Sequence, residues 1–179
     1  MVDRCRRNVM YQIEKTYPVD KEELYVLLVK QVAMILEGET DVIANLSNVS
    51  ALLNEALPTI NWVGFYLMKQ GELILGPFQG KLACIHIPLG KGVCGTAALK
   101  GELQLVKNVH EFPGHIACDS ASNSEIVVPM KLNGKVIGVL DIDSPKLNRF
   151  DEIDAIYLEQ ITNQIIHACD WSCALNYDF

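Results

Sequence analysis

At 179 residues, with 50% hydrophobic and 21% charged side chains, the chain has the size and composition of one globular domain that can bury a core without disulfides or metals. A formal net charge of -7 speaks against nucleic acid or an anionic membrane as partner, since both select clustered Lys and Arg. The most apolar segment, residues 24–36, is interrupted by Lys30 and Gln31 and is too short to cross a bilayer, and the basic start is followed by no apolar run of secretory length. A cytoplasmic location with thiols reduced at rest is therefore expected.

Residues 1–20 carry no clear period and read as a leader, leaving 21–179 as a single domain. Over 21–37, Leu24, Leu27, Leu28, Ala33, Ile35 and Leu36 recur at helical spacing, and Gly38 supplies a stop. Thr40 is the expected cap of a second helix, with Val42, Ile43, Leu46, Val49, Leu53 and Leu57 on one stripe until Pro58. The pattern then changes to period two. Residues 62–68 and 72–78, joined by Lys69-Gln70-Gly71, predict a hairpin, and 83–88 and 103–106 predict two short strands. Residues 125–132 and 135–143 flank Asn133-Gly134, a strong two-residue turn signal. A long amphipathic helix is predicted over 151–168 from Ile153, Ile156, Tyr157, Ile161, Ile165 and Ala168, and the segment after it is not placed. Terminal helices around a mostly antiparallel sheet describe an α+β sandwich, with the helices on one sheet face and the other face free for a site.

Side chains alternate along a strand, so parity sorts them into two faces. Val63, Phe65 and Leu67, then Ile126, Val128 and Met130, then Val136, Leu140 and Ile142 are assigned to the face under the helices. The opposite face collects Trp62, Gly64 and Tyr66, then Glu125 and Val127, then Ile137, Val139, Asp141 and Asp143. By the same rule Cys84 and His86 separate from Ile85 and Ile87, so the polar and reactive residues are expected together. Three adjacent carboxylates cannot all ionise cheaply, so at least one should have a raised pKa unless a cation binds among them. They suit a primary ammonium group, with Trp62 and Tyr66 as an apolar wall beside it.

Three of the six cysteines and three of the four histidines fall within residues 84–125. The spacing C-x9-C-x23-C lacks the close pairs of a zinc motif, although His86, His110 and His115 leave a Cys/His metal site open. For any one thiol, inert burial is the competing explanation. Cys94 lies in GKGVCG, which matches the dinucleotide pattern G-x-G-x-x-G. Only residues 96–100 separate Gly95 from the Gly101 turn, however, too few for a crossover helix. A turn into a short helix is predicted instead, with its N-terminus expected to lower the Cys94 thiol pKa. Cys118 lies between His115 and Asp119 on a predicted loop, a thiolate-favouring setting. Cys5, Cys169 and Cys173 receive no role.

Six blocks, NLSNVSALLNEAL, INWVGFYL, LILGPFQGKLACI, GKGVCGTA, PGHIACDSASNSEIVVP and GVLDIDSP, resemble the free methionine (R)-sulfoxide reductases, a family built on the GAF domain. The resemblance runs from about the second predicted helix through Asp151-Glu152. It implies a six-stranded antiparallel sheet with N- and C-terminal helices on one face and a ligand pocket on the other. The implied substrate is free L-methionine (R)-S-oxide, in an oxidative-stress role that needs no cofactor or metal. Cys118 would attack the sulfoxide sulfur, release methionine and become a sulfenic acid. Cys84 would then condense with it to a disulfide, with Cys94 as the alternative partner, and thioredoxin would reduce that disulfide. The resemblance further implies that Glu125, Asp141 and Asp143 hold the ammonium and help protonate the oxygen, while Trp62 and Tyr66 enclose the S-methyl end. Backbone N–H groups around Ile116 and Ala117 would bind the sulfoxide oxygen. It leaves room for a homodimer. The rival reading is a GAF sensor module that binds a small ligand without catalysis; three cysteines are more than such a module needs.

Overall fold

The two turn signals form as their residues dictate. In Gln70-Gly71 and Asn133-Gly134 both central residues adopt positive φ (48° and 84°; 50° and 79°), the conformation that matches the right-handed twist of the strands they join. In this computed structural model, which describes residues 16–114 and 120–174, the first turn links β1 (Trp62–Lys69) to β2 (Glu72–Gly80). The second links β5 (Ser124–Leu132) to β6 (Lys135–Ser144). β1 also pairs with β6, and the short strands β3 (His86–Pro88) and β4 (Gln104–Val106) form the two edges. The result is the expected six-stranded antiparallel sheet, in the order β3-β2-β1-β6-β5-β4.

Three helices cover one face. α2 (Val42–Ala56) lies on β1 and β2, α4 (Glu152–Ala168) lies on β5, and α1 (Lys21–Leu36) packs across both helices. Asp41, not Thr40, caps α2: its Oδ1 accepts from the Ala44 N–H at 2.8 Å, and the carboxylate also complements the helix dipole. The Thr40 carbonyl instead accepts from the Asp170 N–H at 2.9 Å. α4 opens with a capping box between Asp151 and Asp154. Asp154 is fully buried, yet it accepts from the Tyr25 hydroxyl (2.7 Å) and Arg149 (3.1 Å) and pairs with Lys21, so its charge is neutralised where α1 meets α4.

The helix-side core contains Val63, Phe65, Leu67, Ile126, Val128, Met130, Leu140 and Ile142, as strand parity predicts. Val136 and Ile137 are exchanged relative to that prediction. Met130 pairs with Gly138 but Lys131 pairs with Val136, so Ile137 is an extra residue in the β6 ladder. The alternation inverts at this irregularity: Ile137 joins the helix-side core and Val136 packs on the other side. Three residues placed on helix stripes also face solvent, namely Ala33, Ile43 (55% exposed) and Ile156 (54%). Buried Gln31 occupies the place assigned to Ala33, because the stripe of α1 runs Leu24, Leu28, Gln31, Val32, Ile35. Beyond α4, α5 (Trp171–Ala174) is one turn that buries Trp171 in the helix-side core, with its Nε1 donating to the Ile166 carbonyl at 3.0 Å.

Candidate active site

The opposite face carries α3 (Gly92–Lys100), which packs against β3 and against β4–β6 over a second apolar cluster. The last glycine of GKGVCG has a packing reason. A Cβ on Gly95 would stand 2.4 Å from the Pro88 carbonyl oxygen, so α3 approaches β3 closer than any other residue permits. The short helix thus forms as expected, over Gly92–Lys100.

A cavity opens between α3 and the sheet, lined by Trp62, Tyr66, Cys94, Glu125, Asp141 and Asp143. Six of the residues singled out in the sequence therefore meet at one place. The ladder explains how. Trp62 pairs with Asp143, and Gly64 with Asp141, across β1 and β6, while Glu125 pairs with Asp143 and Val127 with Asp141 across β5 and β6. The aromatic wall is a stack: the Trp62 ring lies 5.9 Å from that of Tyr66 and 5.3 Å from that of Phe78. Each polar edge is tied down, with Trp62 Nε1 donating to the Lys81 carbonyl at 3.1 Å and the Tyr66 hydroxyl to the Cys84 carbonyl at 2.9 Å. Lys91, Ser122 and Ile87 also line the cavity and were not legible as site residues. Ser122 is held by the Asn61 side-chain amide at 3.0 Å, a contact between residues 61 positions apart that no local pattern announces.

Electrostatics are dominated by burial. Desolvation, together with the charges of Asp141 and Asp143, pushes Glu125 well above the usual carboxylate range. Burial pushes Asp141 up to about 6, offset in part by its contacts with Cys94 and Glu125. The raised carboxyl predicted from three neighbouring acids is therefore present. Cys94 departs from expectation. It sits in the first turn of α3, yet burial and the neighbouring Asp141 and Glu125 raise its thiol pKa well above the ordinary value. A helix N-terminus contributes about 1 kcal/mol or less in most settings, too little to overcome desolvation beside two acids.

Around β3 the parity prediction fails. His86 is exposed and pairs with Glu72 (Nδ1 to Oε1, 2.8 Å), while Ile87 faces the cavity. The strand begins only at His86, so Cys84 precedes it and alternation does not govern its side chain. Cys84 is half-buried against the second cluster, beside the cavity lining. Cys118, Ile116 and Ala117, with the expected nucleophile and oxygen-binding backbone, lie outside the described residues.

A GAF domain model matches residues 47–169. The chain is 50% identical over 147 residues to the free methionine-R-sulfoxide reductase of Escherichia coli, covering 82% of this chain and 89% of that protein. The chain belongs to this GAF-domain family of free methionine-R-sulfoxide reductases. Two solved members overlay on it. The fRMsr of Staphylococcus aureus in its reduced form is 59% identical, with a TM-score of 0.79 over 80% of this chain and 94% of that one. The Neisseria meningitidis free methionine-R-sulfoxide reductase in complex with its substrate is 46% identical, with a TM-score of 0.83 over 87% and 95%. Among the described residues no helix is long and apolar enough to cross a membrane.

Proposed function

We propose that this chain reduces free L-methionine (R)-S-oxide to L-methionine, with Cys118 as nucleophile, Cys84 as the resolving thiol and Cys94 as the alternative to it. Three acidic side chains and an aromatic stack that line one cavity carry this reading. The acids receive the ammonium of a free amino acid, and Trp62 and Tyr66 enclose its methyl end. A peptide-bonded methionine offers no ammonium, so its selection would leave buried acids unpaired.

The Cys118 sulfur attacks the sulfoxide sulfur and takes over its oxygen, so that the thiol becomes a sulfenic acid and the sulfoxide a thioether. Burial raises the Glu125 carboxyl well above the usual range and Asp141 to about 6, so these acids hold a proton more readily than exposed ones, and the protonated form supplies a hydrogen bond to that oxygen as it becomes more basic. The resolving thiol then displaces water from the sulfenic acid to form a disulfide, and the dithiol of thioredoxin reduces it by exchange.

The test is turnover of racemic free methionine sulfoxide with thioredoxin or dithiothreitol, followed by chiral separation. The R form should disappear and the S form persist, and Cys118→Ser should abolish methionine release. Consumption of neither form, or full turnover by Cys118→Ser, would overturn the reading.

A further inference from the structure

Among the described residues, one grouping of three metal-ligating side chains brings its ligand atoms within 4.8 Å of one another: Cys94, Glu125 and Asp141. They come from α3, β5 and β6, so only the folded chain assembles them. All three are nearly inaccessible, at 4%, 6% and 6% exposure. Oδ1 of Asp141 is also buried with no hydrogen-bond partner. A buried acceptor without a partner is costly, and it marks a place where a ligand with positive charge would be favoured.

The donor set says which ligand. One sulfur and two carboxylate oxygens suit Zn2+, which binds Cys sulfur at about 2.3 Å and carboxylate oxygen at about 2.0–2.2 Å. Tetrahedral coordination at those lengths separates sulfur from oxygen by roughly 3.5 Å. The Cys94 Sγ to Glu125 Oε1 distance is 3.9 Å, so a few tenths of an ångström of closure suffices. A thiolate donor disfavours Mg2+ and Ca2+, which take oxygen ligands only. We propose that Cys94, Glu125 and Asp141 form a three-ligand site for a thiophilic divalent cation of the Zn2+ class, with the fourth position left to water. On binding, the Cys94 proton and any proton held by Glu125 or Asp141 pass to solvent, since all three ligate in the deprotonated form.

This site differs from the Cys/His arrangement that the sequence spacing left open, since two of its ligands are carboxylates and none is a histidine. It also has a consequence that rests on the reductase reading: the cation and a substrate ammonium need the same two carboxylates, so each excludes the other.

Co2+ titration of the fully reduced, full-length protein tests the site without reference to activity. One equivalent should bind with a thiolate-to-metal charge-transfer band, and Zn2+ should displace it. Cys94→Ser should abolish the band, Asp141→Asn should weaken binding at least tenfold, and Cys84→Ser should leave the band in place. X-ray absorption at the zinc edge of the wild-type complex covers the case in which a variant fails to fold; one sulfur and otherwise oxygen neighbours are expected. No stoichiometric binding, a band that survives Cys94→Ser, or a shell with two sulfurs or with imidazole would overturn the proposal. In an activity assay Zn2+ should raise the KM for the free sulfoxide and leave kcat unchanged. Metal binding in a protein that turns over no sulfoxide would sink the reductase reading and leave the metal site standing.

Discussion

Glu125 and Asp143 stand directly opposite each other on β5 and β6, with Asp141 two residues away on the same cavity. Like charges in opposed positions destabilise a sheet, and burial compounds that cost. Burial raises the pKa of Glu125 and Asp141, so the arrangement carries less charge at a given pH than three exposed acids would.

That relationship sets a pH dependence. The native Asp141 carboxyl titrates near 6 and Glu125 is raised as well, both above their unfolded values. Their contribution to stability is therefore present below about pH 4, where the unfolded carboxyls are protonated too, and is lost as pH rises through the native values. Asp141→Asn removes one of these acids. In thermal melts of the ligand-free protein, the variant should melt above wild type at pH 8, by an amount on the order of 1–3 kcal/mol, with the advantage vanishing toward pH 4. A wild-type protein more stable than the variant at pH 8 would contradict the assignment.

Asp143 pairs with Trp62 on one side and Glu125 on the other, and it lines the cavity. Asp143→Asn keeps the shape but loses a charge-assisted contact worth roughly 1.5–3 kcal/mol. Steady-state kinetics should show kcat/KM for the free sulfoxide falling by about 10- to 150-fold, while the melting temperature stays close to wild type. Equal activity would remove Asp143 from the site.

Gly64 allows the aromatic wall to lie flat. A Cβ there would stand 2.3 Å from Phe78 Cβ and 2.7 Å from the Trp62 ring, and 2.9 Å from the Phe78 backbone, which cannot swing aside. Gly64→Ala should displace the stack and raise the KM for the sulfoxide by roughly tenfold, equivalent to about 1.4 kcal/mol of lost binding. Intrinsic fluorescence would report a changed Trp62 environment; an unchanged spectrum and KM would show the wall is not built this way.

Asp154 separates stability from chemistry. It lies on the helix-covered side and holds Tyr25, Arg149 and Lys21. Asp154→Ala leaves those groups without their shared acceptor and should destabilise the protein by about 3–5 kcal/mol in denaturant titrations. The folded fraction should keep wild-type kcat/KM at low temperature. A large kinetic defect with unchanged stability would reverse this division of roles.

Local rules carried the chain a long way. Turn chemistry set both hairpins, helical spacing set α1, α2 and α4, and alternation placed Trp62, Tyr66, Glu125, Asp141 and Asp143 on one face, because each rule depends only on neighbouring residues. The tertiary structure decided what depends on distant partners. Ladder pairing inverted Val136 and Ile137, the pairing of Ile87 with buried Leu73 set Ile87 inward and His86 outward, and Asn61 brought Ser122 to the cavity rim. Cys94 marks the boundary between the two. Its place in a short helix was local, but the raised pKa of its thiol comes from burial and from acids 31 and 47 positions away, which no helix-terminus argument contains.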